Sequence, residues 1–163
     1  MEFDAIFDDP QCPAYRYSLT RVWDKTLPKA TIIMLNPSIA NTLKNDVSIN
    51  RCLNFCIDNA YGSLEVINLF AFIETDSKKL KALPSYIGPK NDDYILQAIR
   101  GVKTIIISWG SDNDFKVRKR EVWNNFLKDK EVYYFEDESK RTPPVHISRL
   151  AKGFHLKTYT PGF

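Results

Sequence analysis

The sequence predicts an α/β fold: a three-layer α/β/α sandwich whose central, mostly parallel sheet has four to five strands. Three observations predict it. Apolar runs at residues 31–35 (TIIML), 64–72, 104–108 (TIIIS) and 132–135 have the character of strands buried on both faces. Helical stripes, with apolar residues three and four apart, lie between the runs. The resulting alternation of strand and helix is the pattern of a parallel sheet, and right-handed crossovers place helices on both of its faces.

The elements follow in order. Residues 15–23 alternate aromatic, polar and apolar side chains, as an edge or antiparallel strand does. The run at 31–35 is stopped by Asn36-Pro37. Ile49, Cys52, Leu53, Cys56 and Ala60 share one helical face, which Asn45 or Asp46 can cap and Gly62 can end. After the strand at 64–72, Tyr94, Ile95, Ala98 and Ile99 mark a second helix, entered through Asn91-Asp92 and left at Gly101. The strand at 104–108 precedes a third helix bearing Phe115, Val122, Trp123, Phe126 and Leu127, with Asp112 and Asp114 as start caps. The basic cluster at 116–120 reads as a solvated helix face.

Composition narrows the class. The 163 residues suit one domain, read as a core over 15–150 with an N-terminal extension over 1–14. With 44% apolar and 26% charged residues, the chain is neither disordered nor a disulfide scaffold. A net charge of +3 permits a nucleic-acid partner without requiring one. Cys52 and Cys56 lack the further ligands of a zinc site and read as small buried apolar residues, so no metal is expected. Residues 1–10 carry four acids and no signal-peptide pattern, and no apolar run reaches a membrane span. These features lead to the expectation of a reduced, cytoplasmic protein with no membrane partner.

Several loops carry side chains suited to chemistry. Asn36 is fixed beside a proline turn, and its amide is either a turn element or a ligand for water or a base edge. Asn68 sits among Val66, Ile67, Leu69 and Phe70, where an amide must bond the backbone or await a ligand. Ser108-Trp109-Gly110 ends the third buried strand. His146, in Pro143-Pro144-Val145-His146-Ile147-Ser148, can donate to a developing oxyanion or move a proton. Arg51 lies on the helix after the Asn-Pro turn, where it can reach a phosphate or pair with Asp46 or Asp58. Phosphate-loop, dinucleotide-fold, nucleophile-elbow and HExxH patterns are all absent from the sequence.

Tyr15-Arg16-Tyr17 through Trp23, Met34-Leu35-Asn36-Pro37-Ser38, Asp46 through Cys52, Val66 through Ala71, Gly88 through Asp92 and Trp109-Gly110 together resemble one group. It is the bacterial and phage proteins known as domain of unknown function 1643. More distantly, the ordered set Asn36-Pro37, Asn68, Ser108-Trp109-Gly110 and His146-Ile147-Ser148 is similar to the uracil-DNA glycosylase superfamily. Ile147 stands where that superfamily has proline. This likeness implies a uracil-DNA glycosylase-like core with a base-sized pocket and no cofactor. It implies that Asn36 positions water, Asn68 reads a base edge and His146 donates to a base carbonyl. Ser38, Ser148 and Arg51 would contact phosphate, and Trp109 would line the pocket. The expected partner is a nucleotide, a nucleobase or DNA. Three functions follow: an N-glycosidase, a non-catalytic binder sequestering a nucleotide or nucleotide-derived signal, or a protein-interaction module.

Overall fold

A computed structural model describes residues 1–163 apart from 77, 82 and 112. Asp112, one of the two expected caps, therefore lies outside the described residues. The chain runs β1 (Glu2–Phe7), β2 (Arg16–Val22), β3 (Lys29–Met34), α1 (Val47–Asp58), β4 (Ser63–Asn68), α2 (Pro84–Ile87), α3 (Asn91–Ile99), β5 (Thr104–Ile107), α4 (Lys116–Val122), β6 (Val132–Glu136) and β7 (His155–Thr158). A π-helical turn, Trp123–Leu127, extends α4, and a 3-10 turn, Ile147–Arg149, precedes β7.

The fold is mixed α/β around one sheet of order β1-β2-β4-β3-β5-β6-β7. Its four central strands, β4-β3-β5-β6, are parallel, and antiparallel pairs close both edges. Among the described residues seven strands replace the four to five expected. The two unforeseen strands, β1 and β7, are the edges. β1 has three exposed and three half-buried residues, and β7 has one half-buried residue. An edge strand touching the core on so little of its length leaves no clear apolar period in the sequence.

The continuous apolarity of β3 follows from its position, since strands covered on both faces need apolar side chains at every register. Ile32 and Met34 pack with Ile49, Cys52, Phe55 and Cys56 of α1. Ile33 joins Ile95 and Ile99 of α3 and Val122 of α4 in a separate cluster. Cys52 and Cys56 are buried free thiols, as read; burial holds the Cys52 thiol well above its usual range and pushes Cys56 up to about 12.

Local details depart from the sequence reading. Asp46 is the α1 cap, accepting from the Ile49 N–H at 2.9 Å. The helix ends at Asp58, before Gly62. Gly62 instead answers a close approach: a Cβ there would lie 1.8 Å from the Asp24 carbonyl oxygen. Its own carbonyl accepts from the Trp23 and Asp24 N–H groups at 3.0 Å. Among the described residues no side chain caps α4, so Asp114 does not act as expected. In the basic stretch Lys116–Arg120, Arg118 and Lys119 are buried. Arg118 donates through Nε to the Leu69 carbonyl at 3.0 Å and pairs with Asp92, while Lys119 donates to the Gly110 carbonyl at 3.0 Å. These two cations clamp α4 to the strand exits rather than facing solvent.

The topology also locates the crevice. From β3 the chain moves to β4 on one side, then crosses back to β5 on the other. The carboxyl ends of β3 and β5 therefore diverge, and such a switch point is where open α/β sheets bind ligands.

Candidate ligand-binding site at the carboxyl end of the sheet

A cavity of about 420 Å³ opens at this switch point. That lies within the roughly 300–1,000 Å³ of small-molecule sites. The exits of β3 and β5, the N-terminus of α1 and the loop before β7 all line it.

From the β3 exit come Asn36 and Ser38. The Asn36 Nδ2 donates to the Glu74 carbonyl at 2.7 Å and the Pro37 carbonyl at 3.1 Å. Two carbonyls can only be met by the amide nitrogen, so the orientation of the side chain is set. Its Oδ1 has no hydrogen-bond partner among the described residues and remains an acceptor. Pro37 holds the turn, and Glu74 is among the residues lining the same cavity, its Oε1 accepting from the Asp76 N–H at 2.9 Å.

His146 and Ser148 come from the loop before β7. Ser108, just past β5, holds their loop: its buried Oγ accepts from the Ile147 N–H at 2.8 Å and donates to the Val145 carbonyl at 3.1 Å. Asp137 anchors the same loop farther out, accepting from the Ala151 and Ser139 N–H groups at 2.8 and 3.0 Å. These bonds, with Arg141, bring its carboxyl down to about 2. The His146 Nδ1 accepts from the Ser148 N–H at 3.3 Å and lies 2.7 Å from the Ser148 hydroxyl. An Nδ1 that accepts leaves the proton on Nε2. Burial, then the nearby Arg149, lowers the imidazole's affinity for a second proton, against the pull of Asp46. The half-buried ring is thus held neutral, with an Nε2–H donor for an occupant.

Trp109 also lines the cavity and is 1% exposed, yet among the described residues its buried indole N–H has no acceptor. An unmade buried hydrogen bond costs about 1–3 kcal/mol, so this donor is a standing demand for an acceptor.

The sequence reading did not include Arg16, Glu74 or Arg149 as site residues and saw Asp46 as a cap or a partner for Arg51; all four line the cavity. Arg16 opens β2. Pairing with β1 steps from Ile6↔Ser18 to Phe7↔Arg16, so a bulge falls at Tyr17 and re-aims the strand. The Arg16 Nη1 donates to the Ala40 carbonyl, while its Nε is buried without a partner among the described residues. Desolvation draws the guanidinium down to about 10, opposed by Asp46 and aided by Arg21. The available signal was a charge inside an aromatic strand, Tyr15-Arg16-Tyr17, which alternation alone assigns to solvent.

Two expected site residues are not among the cavity's lining. Asn68 ends β4, 1% exposed, with neither amide atom partnered among the described residues. Asn91 donates to the Asn68 and Leu69 carbonyls at 2.9 and 3.1 Å, and its own Oδ1 is also unpartnered. Arg51 lies one helical turn beyond the cap. Its Nη2 donates to the Leu150 carbonyl at 2.7 Å, and its guanidinium sits 5.3 Å from the Phe154 ring centroid. There it ties α1 to the chain leaving the 3-10 turn. Asn36, Ser38, Trp109, His146 and Ser148 are brought together as expected.

Among the described residues no helix is long and apolar enough to cross a membrane. A family model described as a protein of unknown function, DUF1643, matches residues 16–146, and the chain belongs to that family. No curated protein and no solved structure matches significantly.

Proposed function

We propose that this DUF1643 family member recognises a nucleobase, in a nucleotide or in DNA, and hydrolyses the N-glycosidic bond that carries it. The observation that carries the reading is that Asn36 and His146 line one cavity at the switch point, the first with a free amide acceptor and the second with a neutral Nε2–H donor. A uracil-DNA glycosylase-like, three-layer arrangement fits the same disposition: α1 packs in one apolar cluster, α3 and α4 in the other.

The chemistry follows from these groups. Water held on the Asn36 Oδ1 adds to the glycosidic carbon as its bond to the base nitrogen breaks. The bonding pair leaves with the base and spreads onto its carbonyl oxygen, where the His146 Nε2–H meets the growing charge. An amide cannot take the water's proton. Glu74 and Asp46 are among the residues lining the same cavity, and their carboxylates supply acceptors for it and a negative field for the sugar cation.

Base release from a panel of modified or mismatched DNA and free nucleotides tests the proposal. Asn36→Ala and His146→Ala are expected to lower release about 10²–10³-fold, the usual cost of a lost positioning or oxyanion group. No release from any substrate defeats the hydrolase.

The second reading, a binder that holds a nucleotide or nucleotide-derived signal intact, is favoured by one observation. The Asn68 amide, expected to read the base edge, is not part of the cavity's lining. Recovery of unaltered ligand from the complex would establish that reading.

A further inference from the structure

An imidazole nitrogen without a proton offers a single lone pair, lying in the plane of the ring. Two groups of Ser148 compete for that pair on the His146 Nδ1. The Ser148 N–H donates to it at 3.3 Å, and the Ser148 Oγ lies 2.7 Å away. A proton on Nδ1 would set donor against donor at the backbone N–H. The hydroxyl therefore supplies the hydrogen of the short contact and Nδ1 accepts it. At 2.7 Å this is the stronger of the two bonds, and the backbone contact by itself is long. The spacing of the pair is set from outside. The buried Ser108 Oγ holds the Ile147 N–H and the Val145 carbonyl, and the Arg149 N–H donates to the His146 carbonyl at 2.9 Å.

The arrangement constrains both residues. A hydroxyl has one hydrogen, and His146 takes that of Ser148, so the oxygen keeps only acceptor capacity. Phosphate oxygens are acceptors too, so this hydroxyl has no hydrogen left for the phosphate contact expected of Ser148. On the ring, a proton cannot enter at Nδ1 without loss of both bonds. Two charged groups act on the imidazole: Arg149 of the 3-10 turn opposes a second proton, and Asp46 at the start of α1 favours it. Neither is hydrogen-bonded to the ring among the described residues, so neither selects between its nitrogens. Only the bonds from Ser148 do.

We propose that Ser148 is a positioning residue: its hydroxyl, bonded to Nδ1, fixes His146 as the Nε2–H tautomer, the form that donates to a departing base. The proposal rests on the base-releasing reading for what that donor does. Which nitrogen holds the proton follows from the local geometry alone.

Nitrogen-15 NMR of the imidazoles in the full chain tests it, together with base release. His146→Gln distinguishes the His146 signals from those of His155. At about pH 8 the natural chain should show a bare Nδ1 and a protonated Nε2. In Ser148→Ala only the 3.3 Å backbone contact is left, so the other tautomer should appear beside the first, and the ring should take its second proton at higher pH. Base release by that variant should fall about three- to tenfold in kcat, the scale of one hydrogen bond, with KM within about twofold. Ser148→Thr, which keeps the hydroxyl, should restore both the spectrum and the rate. A natural chain with its proton on Nδ1, or a Ser148→Ala spectrum like the natural one, overturns the proposal and leaves the hydrolase reading standing. So does a raised KM with kcat unchanged, which would make Ser148 a ligand contact. A Ser148→Thr chain that behaves as Ser148→Ala overturns it as well. No release from any substrate defeats the hydrolase, and the spectra still decide the tautomer. Ser148 is exposed and the natural chain reports its tautomer directly, so the result does not depend on a variant folding.

Discussion

Replacing Ser108 by alanine removes a hydroxyl that makes two buried bonds to the His146 loop, 2.8 Å from the Ile147 N–H and 3.1 Å to the Val145 carbonyl. Ser108 is 0% exposed, so water cannot take the hydroxyl's place without a rearrangement. Each orphaned backbone group costs about 1–3 kcal/mol, so the pair costs roughly 2–4 kcal/mol after partial relaxation. With a urea slope of about 2 kcal/mol per molar, the middle of the usual range, the unfolding midpoint should fall by about 1–2 M. The same change frees the segment that carries His146, so ligand affinity should fall further than in a control such as Leu43→Ala. Leu43 is 83% exposed and not part of the cavity's lining. A midpoint within about 0.3 M of the natural chain would refute the reasoning. It would mean that the loop holds His146 in place through its own turns, without the hydroxyl.

Two further expectations are open to measurement. The His146 imidazole binds its second proton less readily folded than at the ordinary 6.5, so the unfolded chain takes up that proton first as pH falls. Its contribution is therefore complete above pH 6.5 and declines below it until the folded ring also protonates. Unfolding curves between pH 7.5 and 5 should show this slope flattened in His146→Gln; an unchanged slope assigns it elsewhere. Gly62→Ala should destabilise by about 2–3 kcal/mol or more, because its Cβ would meet backbone oxygen only 1.8 Å away. A thermal midpoint equal to that of the natural chain would show that the Asp24 turn yields at little cost.

Much of the fold is legible in the sequence because the central strands are covered on both faces. Burial of every residue from Ala30 to Met34 turns a three-dimensional fact into a local pattern of letters. Asp46 and the α1 stripe are legible for the same reason, since capping and helical period act within a few residues. Asn36, His146 and Trp109 stand out because strands of a parallel sheet end on one side, so residues after them gather at one edge.

What the sequence determined by itself was the succession of elements and the edge of the sheet at which its polar residues collect, because these depend on interactions within a strand or a turn. Tertiary structure alone decided which polar residues meet. The bulge at Tyr17 brings Arg16 to the cavity, although strand alternation assigns it to solvent. Asn68 ends a strand as promisingly as Asn36 does, yet its amide is packed away from the cavity beside Asn91. Pairing register and side-chain direction depend on neighbours distant in the chain, and those neighbours leave no mark at the residue itself.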